Sequence, residues 1–150
     1  MEKAIFISQI GNLKYVTQEY SRLYFGIEFC QGLIPSREEL DCMLEFASGE
    51  KMDFTFVTPY LTNEGMRKIT ALLDYLIGNH PKGEIVINDW GLMRWLTQRY
   101  TGLNLILGRL LNKQKRGPRI LSLMGKVPEA TVEHFRQSNI DSPSLSNFLI

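Results

Sequence analysis

From position 22 to position 107 the chain alternates short β-favouring runs with longer runs whose apolar residues recur at helical spacing, and few architectures accept that order. The clearest unit is the last. Glu84-Ile-Val-Ile87 is apolar after its first residue, as expected of a parallel strand covered on both faces. Asn88 or Asp89 can cap the helix that follows, in which Leu92, Met93, Leu96 and Tyr100 share a side. Thr101-Gly102 closes that helix, and residues 103–107 read as another strand.

The upstream units repeat this pattern. Residues 3–8 predict a first strand, followed by a polar connection with Gly11 and Asn12 as turn residues. Residues 22–30 predict a second strand, with Leu23, Phe25, Ile27 and Phe29 on one face and Tyr24, Gly26, Glu28 and Cys30 on the other. Ser36-Arg-Glu-Glu39 has the spacing of a capping box, and it opens a helix whose Leu40, Met43, Leu44 and Ala47 face one way until Ser48-Gly49 ends it. Cys42 lies beside that stripe and reads as a packed or idle thiol. Residues 53–59 predict a third strand, stopped by Pro59. Thr62 can cap the next helix, where Met66, Ile69, Leu72, Leu73, Leu76 and Ile77 form one long buried face. His80 falls in the turn at the end of that helix, where solvent or the helix dipole explains it better than catalysis. His134, in an expected helix, has no catalytic partner nearby in sequence.

Strand, helix, strand, helix, strand, helix, strand, joined by connections short enough for right-handed crossovers, is the repeating unit of a parallel α/β fold. The predicted class is α/β: a partial TIM-like (β/α) barrel with about five mostly parallel strands. The pattern changes after Arg116. Gly117-Pro118 interrupts it, and residues 117–150 read as an irregular, helical tail, with short helices begun near Pro128 and Pro143. The last of these ends the chain on apolar Leu145, Phe148, Leu149 and Ile150, as though its next strand were missing. A complete barrel takes eight strands in about 250 residues. Residues 1–150 are therefore expected to be one truncated barrel domain, whose C-terminal half is missing or whose open edge is covered in another way, such as by a dimer.

Bulk properties constrain function less. The net charge of +1 leaves any attraction to nucleic acid or an acidic membrane to a local cluster. No apolar run approaches the roughly 20 residues of a membrane span, and the amino-terminal run is too short for a signal peptide. A cytoplasmic protein is expected. Two cysteines, Cys30 and Cys42, are too few for a disulfide framework, and no Cys-x-x-Cys pair points to zinc, so no metal ligand is assigned.

Parallel α/β sheets place their chemistry at the carboxyl ends of the strands. In this chain those ends carry Glu28 and Cys30, then Tyr60, then Asn88, Asp89 and Trp90, and lastly Arg109. The loop after the fifth strand adds Lys113, Lys115, Arg116 and Arg119. Glu28 and Asp89 are the candidate catalytic acid/base groups and Asn88 orients. Tyr60 and Trp90 are candidates for stacking, and Arg109, Lys113 and Arg116 for anion contact. Such a rim suits an anionic, partly planar small molecule or an RNA-related ligand, since clustered Lys and Arg neutralise phosphates. Each residue also has an ordinary explanation: Asp89 and Thr62 are good caps, Trp90 and Tyr60 can pack, and a basic loop can simply be solvated. There is no glycine-rich phosphate loop, and Cys30 has no histidine within local reach.

Three stretches carry a resemblance: Phe56-Val-Thr-Pro-Tyr-Leu-Thr-Asn-Glu-Gly65, Glu84-Ile-Val-Ile-Asn-Asp-Trp-Gly91 and Leu107-Gly-Arg-Leu-Leu-Asn-Lys-Gln-Lys-Arg116. With them the chain resembles the N-terminal half of proteins related to the collagenase-like peptidase family (the U-thirty-two group), and uncharacterised relatives above all. The resemblance implies a TIM-like barrel. Activities in the wider family include proteolysis and oxygen-independent hydroxylation of RNA bases or of a quinone precursor, the hydroxylating members holding an iron-sulfur cluster on four cysteines. Neither Cys30 nor Cys42 falls on that cysteine motif, so the cofactor stays unknown and no catalytic residue carries over. A non-catalytic binding or accessory module is the alternative to an enzyme, and a peptidase is a third reading.

Overall fold

A computed structural model describes residues 2–111. The order is β1 (Ala4–Ile7), β2 (Arg22–Gly26), α1 (Arg37–Gly49), β3 (Asp53–Val57), α2 (Asn63–Asn79), β4 (Glu84–Ile87), α3 (Trp90–Arg99) and β5 (Asn104–Leu107). Two short 3-10 turns, Ile10–Tyr15 and Gln31–Leu33, lie in the connections around β2. The five strands form one sheet in sequence order, and every pairing is parallel. The expected tail over 117–150, with His134, lies outside the described residues.

The helices form where apolar period and caps agree. Ser36 Oγ accepts from Glu39 N at 3.2 Å and Ser36 N donates to Glu39 Oε2 at 2.8 Å, so both halves of the predicted capping box are present. Leu40, Met43, Leu44 and Ala47 are the buried face of α1, while Cys42 is exposed on its other side. In α2 the buried residues Ile69, Leu72, Leu73, Leu76 and Ile77 repeat as predicted, and His80 caps the carboxyl end in solvent. Thr62 stands at the N-cap of α2 without capping it through its side chain. Its hydroxyl is bonded to Gln31 instead, which also takes the Thr62 amide on Oε1 at 2.7 Å.

Sequential parallel order means that every crossover steps in the same direction, and right-handed crossovers then put the helices on one side of the sheet. Packing agrees. Leu23, Phe25, Phe56, Ile85 and Ile87 join residues of α1, α2 and α3 in one apolar core. Register places Phe6, Tyr24, Thr55, Val57, Val86 and Ile106 on the opposite face. Val57 and Val86 are buried there but lie outside the helix-lined core, and Phe6 at the sheet margin is 49% exposed.

β2 ends earlier than its aromatic run predicts. Gly26 takes φ +132°, and a Cβ there would overlap the carbonyl oxygen of Val57. Only glycine fits such a close approach in that conformation. The chain leaves the sheet at this point, so the expected alternation fails: Phe29 is exposed, and Glu28 sits on the loop beyond the strand.

Candidate functional site at the carboxyl rim

The loops after β2, β3, β4 and β5 all emerge at one end of the sheet, because the strands are parallel. The loop after β4 is the most tightly built. Asn88 is fully buried: its Nδ2 donates to Thr58 O at 2.9 Å and its Oδ1 accepts from Leu110 N at 3.2 Å. One amide thus ties the end of β3 to the loop after β5. Gly108 makes this possible, since a Cβ there would overlap the Asn88 side chain. Asp89 caps α3 by accepting from Leu92 N at 2.9 Å on Oδ1, and its Oδ2 accepts from Leu61 N at 3.4 Å. Both oxygens are spent on backbone, and the choice between Asn88 and Asp89 as cap falls to Asp89.

Arg109 and Glu28 meet across the rim. Arg109 Nε donates to Glu28 Oε2 at 2.6 Å, and Nη2 makes an ion pair with the same oxygen. The guanidinium lies 4.9 Å above the Phe29 ring. β2 and β5 are three strand spacings apart, roughly 14 Å in a flat sheet. Two extended side chains span about that distance, and Glu28 reaches Arg109 from the loop beyond β2.

The aromatic candidates lie at the same end. Tyr60 is 61% exposed, and its amide donates to Glu28 O at 3.3 Å, while Trp90 opens α3 at 47% exposure. Lys113 and Arg116 lie outside the described residues. Sequence reasoning missed three contributors: Phe29 beneath Arg109, Gln31 bonded to Thr62, and Gly108 against Asn88. Gly108 alone left a signal, as a glycine beside a charged residue at a strand end.

The amino-terminal end of the sheet contrasts with this rim. There Arg22 donates to Thr55 Oγ1 at 3.0 Å and pairs with Glu84 at 3.1 Å, Asp53 at 3.3 Å and Glu2 at 2.6 Å. Burial alone would lower its pKa, but the Glu2 bond and the fields of Glu84, Glu2 and Asp53 outweigh that and hold the guanidinium above its ordinary value. Nearby Tyr24 is also raised, by burial first and then by the Glu84 field. A cleft of about 590 Å³ opens at this end, lined by Arg22, Asp53, His80, Lys82, Glu84 and Asn104 among others. Its central arginine is already surrounded by carboxylates, and parallel α/β sheets hold ligands at the other end. The rim is the better candidate.

Among the described residues no group of three or more His, Cys, Asp or Glu is placed to hold a metal ion. The chain's two cysteines do not suit a four-cysteine cluster: Cys30 is on the loop after β2 and Cys42 on the exposed side of α1. No described helix is long and apolar enough to cross a membrane. No family model, no curated protein and no solved structure matches the chain.

Proposed function

We propose that the chain is the N-terminal part of a (β/α)-barrel protein related to the collagenase-like peptidases, and that its carboxyl rim binds an anionic, RNA-related ligand. The observation that carries this reading is Arg109, a cation 56% exposed at the end of β5 and backed by the Phe29 ring. Tyr60 and Trp90 are exposed aromatics at the same end, and Lys113 and Arg116 add positive charge a few positions further along the sequence. The barrel part of the reading draws on the sequential parallel order and on the three resembling stretches. In a barrel the edges that β1 and β5 leave unpaired among the described residues are covered by further strands or by a second copy. Two exposed free thiols suit a reducing compartment, so the reading includes a cytoplasmic location.

Within this proposal Glu28 and Asp89 are the acid/base candidates and Asn88 the orienting amide. One observation favours a non-catalytic binding module over an enzyme: Asp89 and Asn88 are already committed to backbone partners. A thiol peptidase has less support, because Cys30 follows β2 at one end of the sheet while His80 precedes β4 at the other.

The test is titration of a fluorescein-labelled single-stranded oligoribonucleotide with the full chain over a series of salt concentrations. Binding should weaken steeply with salt, and Lys113→Ala with Arg116→Ala should flatten the slope by about two phosphate contacts. Salt-insensitive or absent binding would overturn the reading.

A further inference from the structure

Arg109 and Glu28 are fixed at the backbone and adjustable only in their side chains. Gly108 N donates to Ile87 O at 2.7 Å, and Leu110 N donates to Asn88 Oδ1 at 3.2 Å, so the chain on both sides of Arg109 is held. Ile27 N donates to Val57 O at 3.2 Å, and Glu28 O accepts from Tyr60 N at 3.3 Å, which holds the opposite loop. Two anchored backbones joined by two long side chains make a contact that opens by rotation about χ angles, leaving the sheet untouched.

In the closed contact Arg109 Nε donates to Glu28 Oε2, and Nη2 lies in ion-pair contact with the same oxygen. Those two donors form the edge of a guanidinium that ordinarily takes a carboxylate or phosphate. Glu28 thus occupies the position that an anionic ligand needs. We propose that Glu28 is a built-in competitor, and that a phosphate-bearing ligand binds the rim by displacing its carboxylate from Arg109. This rests on the reading of the rim as an anion site.

Phe29 makes the exchange cheap, because the guanidinium keeps its aromatic support whichever anion it faces. Exposure acts in the same direction. The Arg109 side chain is 56% exposed and that of Glu28 19%, so the cation is the more solvent-accessible partner. With the cation more than half exposed, solvent screens the pair and lowers the cost of exchange.

The test is a double-mutant cycle with the same labelled oligoribonucleotide at fixed low salt, using Glu28→Gln, Glu28→Ala, Arg109→Gln and the pair Glu28→Gln with Arg109→Gln. Removing the competitor should tighten binding about two- to fivefold, the range set by an exposed pair. Arg109→Gln should weaken binding, and in that background Glu28→Gln should change nothing. Should Glu28→Ala lose the wild-type circular dichroism, Glu28→Gln, which keeps the shape, carries the test. Tightening that persists without Arg109 would mean that Glu28 acts only through its negative field, and would overturn the competitor. Arg109-dependent binding unaltered or weakened by Glu28→Gln would overturn it too, while leaving the rim reading intact. If neither the wild type nor Glu28→Gln binds, both fall.

Discussion

Arg22 and Arg109 serve opposite ends of one sheet and are used in opposite ways. Arg22 is 19% exposed and meets three carboxylates and a threonine hydroxyl. Arg109 is 56% exposed and meets a single carboxylate. A guanidinium has five N–H donors. At the amino-terminal end four of them go to Glu2, Thr55, Glu84 and Asp53, joining β2 to β3 and β4, whereas at the rim one is donated to a single glutamate oxygen. A saturated cation serves the architecture; an exposed one with a single exchangeable partner is available to a ligand.

That contrast can be broken most directly by Arg22→Ala. Its Glu2 and Asp53 partners are 52% and 72% exposed, so those two pairs contribute under about 1 kcal/mol each. Glu84 is only 16% exposed, and with buried Thr55 it would lose its cation. The expected loss is about 2–3 kcal/mol, read as a lower urea midpoint at unchanged m-value. Next in size is Gly108→Ala, whose Cβ must displace the Asn88 amide from its bonds to Thr58 and Leu110. About 1–2 kcal/mol should be lost, and oligoribonucleotide affinity should fall as Arg109 shifts. The smallest stability effect belongs to Arg109→Ala, expected at about 1 kcal/mol in the same urea titration, since Glu28, 19% exposed, loses its one cation but the solvated arginine contributes little packing. A loss there as large as that of Arg22→Ala would make Arg109 a second architectural arginine and erase the distinction.

Periodicity carried most of the fold. The apolar run of β4 announced a strand buried on both faces, and Ile85, Val86 and Ile87 are each under 5% exposed. The capping box at Ser36 and the buried face of α2 were equally legible, because both depend on residues three or four apart. Long-range geometry was not. Nothing local in 22–30 says that the carbonyl of Val57 will crowd Gly26 and end β2 there. Nor does the sequence near Thr62 show that Gln31, 31 residues away, will take its hydroxyl. The site suffered most from this. Its candidates were found one by one from their places at strand ends, yet the Glu28–Arg109 contact joins positions 81 apart, and only the order of the strands brings them together. Phe29 was assigned to a strand face, when its place is under a guanidinium.

Each strand pairs only with its neighbours in sequence, and resistance to opening is graded accordingly. β3 has a ladder on both sides, whereas β5 has one among the described residues. Segments held by one ladder open at lower free energy than those held by two. Arg109 follows the last paired residue of β5 by two positions. Among the described residues the rim arginine thus follows a strand held by one ladder, and amide exchange along β5 should be faster than along β3.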